Sequence, residues 1–102
     1  MAIVLYQKMP PETTLEMIKA VTAEMDVLND PPDGLIVHTV IDVGGRMTIC
    51  DVWESREAYE KFGEARLGPA FARVTERMGI DMSQVAEPET EILEALDVVR
   101  GR

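Results

Sequence analysis

Residues Gly34 to Ser55 read GLIVHTVIDVGGRMTICDVWES. β-branched residues crowd both halves of this stretch, and the adjacent Gly44 and Gly45 supply the positive φ angles that a two-residue turn of the I′ type needs. The pattern predicts a β-hairpin. Counting outward from the turn pairs Val43 with Arg46, Asp42 with Met47, Val40 with Ile49, His38 with Asp51 and Ile36 with Trp53. Side chains alternate faces along a strand, so Ile36, His38, Val40, Met47, Ile49, Asp51 and Trp53 are expected on one face, apolar except for one ionisable pair. Leu35, Val37, Thr39, Ile41, Thr48, Cys50 and Val52 fall on the other, which is expected to take the helices.

Upstream, Ala2 to Lys8 reads as a strand, and Pro10-Pro11 breaks the chain after it. Thr13-x-x-Glu16 then has the form of a capping box opening a helix, with Leu15, Ile18, Val21, Met25 and Leu28 recurring at helical spacing. The turn-forming run Asn29 to Gly34 leads into the hairpin. Downstream, Ser55 is placed to cap a second helix carrying Ala58, Tyr59, Phe62 and Ala65 on one side. Gly68-Pro69 is expected to interrupt it, and Pro69 to Met78 to form a further helical piece ended by Gly79. From Glu89 to Val99 the apolar residues fit either a strand or a helix, and strand is the assignment taken. The order strand, helix, strand, strand, helix, strand predicts an α+β, ferredoxin-like βαββαβ domain with an antiparallel four-stranded sheet and helices on one face. The remaining sheet face is too apolar to stand in water as a contiguous patch, so a homodimer packing sheet on sheet is expected.

With 102 residues, one domain spanning 1–102 accommodates the chain. Ten basic against nineteen acidic residues give a formal charge of −9, which repels phosphate backbones and anionic membranes, so neither nucleic acid nor membrane is an expected partner. The opening MAIVLYQK lacks the basic leader and cleavage site of a signal peptide, and a cytoplasmic location is the expectation. The single cysteine, Cys50, cannot close an intramolecular disulfide, and with one histidine no zinc-type cluster arises. No metal and no cofactor are expected.

The segments GLIVHTVIDVGG and DVWESREAYEKFGEARLGPAF resemble the dimeric α+β barrel superfamily, specifically small proteins of the antibiotic biosynthesis monooxygenase type. The likeness covers the first ninety residues or so and is strongest from Gly34 to Phe71. It implies that two ferredoxin-like protomers close their sheets into a barrel able to hold a ligand. Haem-degrading relatives carry a helix histidine that binds iron. This chain departs from them, since its second helical region has no histidine and its sole asparagine is Asn29.

Among single residues, His38 with Asp51 is the sharpest constellation. A carboxylate that accepts a proton from one imidazole nitrogen fixes the tautomer and leaves the other nitrogen as a general base, suited to deprotonating a phenol ahead of its reaction with oxygen. Trp53 is a candidate for stacking on an aromatic ligand, and Ile36, Val40, Met47, Ile49 and Tyr6 for an apolar cavity wall. Cys50 reads as a buried, inert thiol. The expectation is an apolar cavity for a small aromatic or polyketide-like molecule with cofactor-independent monooxygenase chemistry, the alternative being a non-catalytic ligand-binding or assembly barrel.

Overall fold

The computed structural model describes residues 1–101. In chain order the elements are β1 (Ile3–Lys8), α1 (Leu15–Met25), β2 (Leu35–Val43), β3 (Arg46–Trp53), α2 (Arg56–Phe62), a π-helical turn (Gly63–Leu67), α3 (Gly68–Met78), a 3₁₀ turn (Met82–Gln84) and β4 (Glu89–Glu94). The strands form one antiparallel sheet in the order β2-β3-β1-β4, the ferredoxin-like α+β arrangement expected from the element order. Among the described residues no helix is long and apolar enough to cross a membrane.

Gly44 and Gly45 adopt φ 59° and 91°, both in the left-handed region that a I′ turn requires. From this turn the pairs Val43 with Arg46 through Val37 with Val52 follow as counted, His38 facing Asp51 among them. Beyond Val37 the register shifts at a β-bulge, and Leu35, not Ile36, stands opposite Trp53. A bulge of this kind sets an extra residue into one strand and re-aims its neighbours. Here it turns Leu35 onto the side of the sheet that Trp53 occupies, where both join the core.

The two faces of the hairpin are interchanged relative to the expectation. Trp53 lies 1% exposed against Ile3 and Leu5, with Leu35, Ile49, Ala58, Tyr59, Phe62 and Ile92 packed around them. The helices therefore cover the Trp53, Asp51 and Ile49 side, and the face bearing Val37, Ile41, Cys50 and Val52 is the open one. The physical reason is the demand of the largest side chain. Helix α2 starts three residues after Trp53, and folding it back over the sheet brings Tyr59 and Phe62 onto the indole.

Three further local expectations are corrected. Thr14, not Thr13, caps α1, its hydroxyl accepting from the Met17 amide at 3.2 Å. The Thr13 amide is engaged with the Pro10 carbonyl at 3.0 Å, so the extended backbone that a cap needs falls one residue later. Helix α1 ends at Asp26 in the left-handed conformation, which leaves Leu28 outside the stripe and 92% exposed. Strand β4 stops at Glu94, and beyond a last bond from the Ala95 amide to the Ala2 carbonyl no regular structure continues among the described residues.

Gly68-Pro69 does not interrupt the second helical region either. Proline has no N–H to give the carbonyl four residues back, and its ring crowds that carbonyl. The chain accommodates this by widening into the π-helical turn, with the Gly68 amide bonded to the Gly63 carbonyl five residues earlier. Gly68 is well suited there, since a Cβ would come within 3.1 Å of that oxygen. Past the turn, α3 buries Ala70 and Val74 against Val21 of α1, forming a second core cluster. Arg73 and Arg77 of α3 clasp Glu24 of α1 at 2.9 and 2.7 Å, and these bonds hold its carboxyl below the usual range.

Candidate functional site

His38 and Asp51 occupy facing positions on β2 and β3, at the sheet edge and one strand in. The imidazole Nδ1–H donates to Asp51 Oδ1 at 2.8 Å, and the Thr39 amide donates to the same oxygen at 3.3 Å. Thr39 is itself pinned, its hydroxyl donating to the Cys50 carbonyl across the ladder. The carboxylate is nearly buried, its side chain 8% exposed, whereas the imidazole retains 34%. That asymmetry orients the pair: the anion is held inside, and the ring lies between it and the outside with Nε2 free of protein partners among the described contacts. The hydrogen bond that the ring donates to Asp51 raises the His38 pKa above its ordinary value, burial works against it, and the aspartate charge adds to the rise.

Trp53 is two residues along from Asp51 on the same face. Tyr59 and Trp53 meet in a T-shaped arrangement at 5.8 Å between centroids and 63°, and Phe62 lies tilted against the indole at 5.2 Å. With these neighbours the indole is a wall of the core instead of a free platform for stacking. Its Nε1–H is fully buried and has no acceptor among the described residues. A buried donor left unmade costs about 1–3 kcal/mol, so the indole N–H is a standing demand for a polar partner. Tyr59 is close enough to Asp51 to feel its charge. Burial first, then the negative charges of Asp51 and Glu60, push the phenol pKa up and keep it protonated as a donor.

Of the other expected wall residues, Val40 and Ile49 face each other on the His38 side, and Met47 shares that side nearer the turn, opposite Asp42. Tyr6 does not. It pairs with Cys50 while its neighbour Leu5 pairs with Asp51, so Tyr6 belongs to the open face. Ile36 is displaced by the bulge and lines a separate open hollow of ≈ 620 Å³ with Ala2, Glu54, Val98 and Arg100. A second hollow, ≈ 360 Å³, lies beside α2 between Asp33, Gly34, Glu54, Ala58, Lys61 and Phe62. Tyr59, Phe62, Leu5 and Leu35 are the site neighbours that the sequence reading did not place there. The signal was present in Tyr59 and Phe62, three apart on the helix that immediately follows Trp53. Among the described residues no group of three or more His, Cys, Asp or Glu side chains is arranged to hold a metal ion.

No family model matches the chain, and no curated protein matches it. Solved structures do. Rv0793 from Mycobacterium tuberculosis superposes with a TM-score of 0.60 at 17% identity, over 95% of this chain and 96% of that one. SnoaB, a cofactor-independent oxygenase from Streptomyces nogalater, gives 0.61 at 13% identity over 96% of each chain. A protein from Nitrosomonas europaea, provisionally named an antibiotic biosynthesis monooxygenase, gives 0.63 at 12% identity over 95% of this chain and all of that one. At such identities the likeness establishes the fold alone: the chain has the ferredoxin-like α+β fold of these structures.

Proposed function

We propose that the chain takes a small hydroxylated aromatic molecule on the helix-facing side of its sheet, with His38 as general base, and acts as a cofactor-independent monooxygenase. The observation that carries this reading is the 2.8 Å contact between His38 and a nearly buried Asp51, which leaves Nε2 as the outward, proton-accepting nitrogen. In the proposed reaction Nε2 removes the proton of a phenolic hydroxyl. The electron-rich ring carbon then adds dioxygen to give a hydroperoxide, which loses water to leave a quinone. One oxygen atom enters the product and the other departs in water. All four electrons that reduce dioxygen come from the phenol ring, so the balance needs no external reductant. Positioned proton transfer contributes about 10²–10⁴-fold to such a step. That SnoaB, named a cofactor-independent oxygenase, shares the protomer fold supports the choice of chemistry.

The reading includes a homodimer. On the open face Val37, Ile41 and Leu93 are 46%, 38% and 50% exposed, and Val4, Cys50 and Val52 lie among them. A second copy packed sheet to sheet covers this apolar surface on both subunits at once.

The test is oxygen uptake with a panel of polycyclic phenols under ¹⁸O₂, reading one labelled atom in the quinone. His38→Ala is expected to lower the rate by about 10²–10⁴-fold. Unchanged turnover in that variant would rule the general-base role out. A second reading, a non-catalytic binding or assembly barrel, is favoured by one observation: neither hollow beside Ile36 nor that beside α2 is lined by His38. It predicts phenol binding with no labelled product.

A further inference from the structure

We propose that α2 is a gate over Trp53, hinged on the π-helical turn and held shut by Arg66. This makes Arg66 a positioning residue for the site described above, and the proposal rests on that site for its purpose though not for its test. Four observations converge. Helix α2 is short and buries no residue fully, and it meets the sheet core through Ala58, Tyr59 and Phe62. Its C-terminal end runs into the π-helical turn, which exists because Pro69 cannot donate a backbone bond and where Gly63 and Gly68 flank the widened segment. An open hollow of ≈ 360 Å³ borders the helix at Lys61 and Phe62, while at its start Ala58 packs so closely on Gly34 that an added Cβ there would come within 2.6 Å. Finally, the indole N–H beneath α2 has no acceptor among the described residues, so the closed arrangement carries a penalty that opening to water, or to a ligand oxygen, relieves.

Arg66 is the latch. From the C-terminal part of the π-helical turn it donates through Nη2 to the Met25 carbonyl at 2.7 Å, at the C-terminal end of α1, whose last turn carries no basic side chain of its own. Asp30 stands 3.6 Å from the same nitrogen. The guanidinium lies 5.9 Å from the centre of the Phe62 ring, and Phe62 in turn rests on Trp53. One side chain thus ties the hinge to α1 and steadies the aromatic ring that closes over the indole.

Trp53 is the only tryptophan, so its indole N–H gives a single NMR signal whose exchange into D₂O reports opening above it. Arg66→Met is expected to speed that exchange at least roughly tenfold, the factor that losing a hydrogen bond from a charged donor corresponds to, while amides of β1 and β3 keep their rates. Arg66→Lys, which still reaches the carbonyl but does not stack, is expected to recover part of the protection. Pro69→Ala restores the missing donor, removes the reason for the hinge, and is expected to slow the exchange. An indole rate in Arg66→Met that is unchanged, or that rises only in step with the strand amides, overturns the gate. If Arg66→Met does not fold, Pro69→Ala decides alone, and an unchanged rate there overturns it. No substrate enters the measurement, so its failure is separate from a failure of the monooxygenase reading.

Discussion

The one histidine of the chain can be followed without assignment, which makes the His38–Asp51 pair testable at the level of a single proton. Its ring titration is expected above the ordinary midpoint near 6.5, because the aspartate bond outweighs burial, and Asp51→Asn is expected to bring the midpoint down. The sign for stability follows from the same shift. A histidine whose folded pKa is raised contributes stability that is fully present below about pH 6.5 and fades as pH climbs through the folded value. The deficit of Asp51→Asn in denaturant melts, measured between pH 5 and 8, is therefore expected to be largest at the acid end. A midpoint in the native protein at or below the ordinary value would contradict the geometry. The pairing itself was legible in the sequence, since a two-glycine turn and a period of two leave one register for positions only a few residues from the turn.

At the scale of elements the sequence was less complete, and the reason is specific. Register counted from Gly44-Gly45 holds through Val37 and fails at Ile36, because a bulge is chosen by what the strand packs on, here the burial of Leu35 beside Trp53. The face that receives the helices differs from the expected one for the same reason: alternation separates two faces but does not say which is inside until α2 lays Tyr59 and Phe62 on the indole. The π-helical turn was likewise hidden behind a Gly-Pro pair that reads as a stop. The bulge yields its own prediction. Deleting Ile36 leaves Leu35 opposite Trp53 and His38 opposite Asp51, so the thermal transition should remain cooperative with a loss of about 1–2 kcal/mol. Deleting Val40, inside the continuous ladder, reverses every side chain beyond it and is expected to abolish cooperative melting. Equal damage from both deletions would show that Ile36 is held by more than the bulge.

For the whole molecule, the face that a second copy would have to cover is the opposite of the one alternation suggested. The surface left bare carries Val37, Ile41 and Leu93, and light scattering at micromolar concentration is expected to return twice the protomer mass. Ile41→Lys places a charge in the middle of that contact and is expected to weaken association by roughly a hundredfold, reading as a monomer under the same conditions. A native protein of single-protomer mass would remove the barrel from consideration while leaving the protomer fold untouched.

Strand β2 stands at the margin of its sheet, and its sequence LIVHTVIDV contains neither proline nor lysine, the residues that usually blunt such a margin. Within a protomer, one side of its backbone is a template on which any passing β-strand can grow. What discourages that growth is colloidal: a formal charge of −9 keeps molecules apart at neutral pH. Near the sequence-derived isoelectric point of about 4.5 that repulsion vanishes, and the same hairpin that sets the register of the fold is expected to seed aggregation, read as turbidity rising as pH falls toward that value.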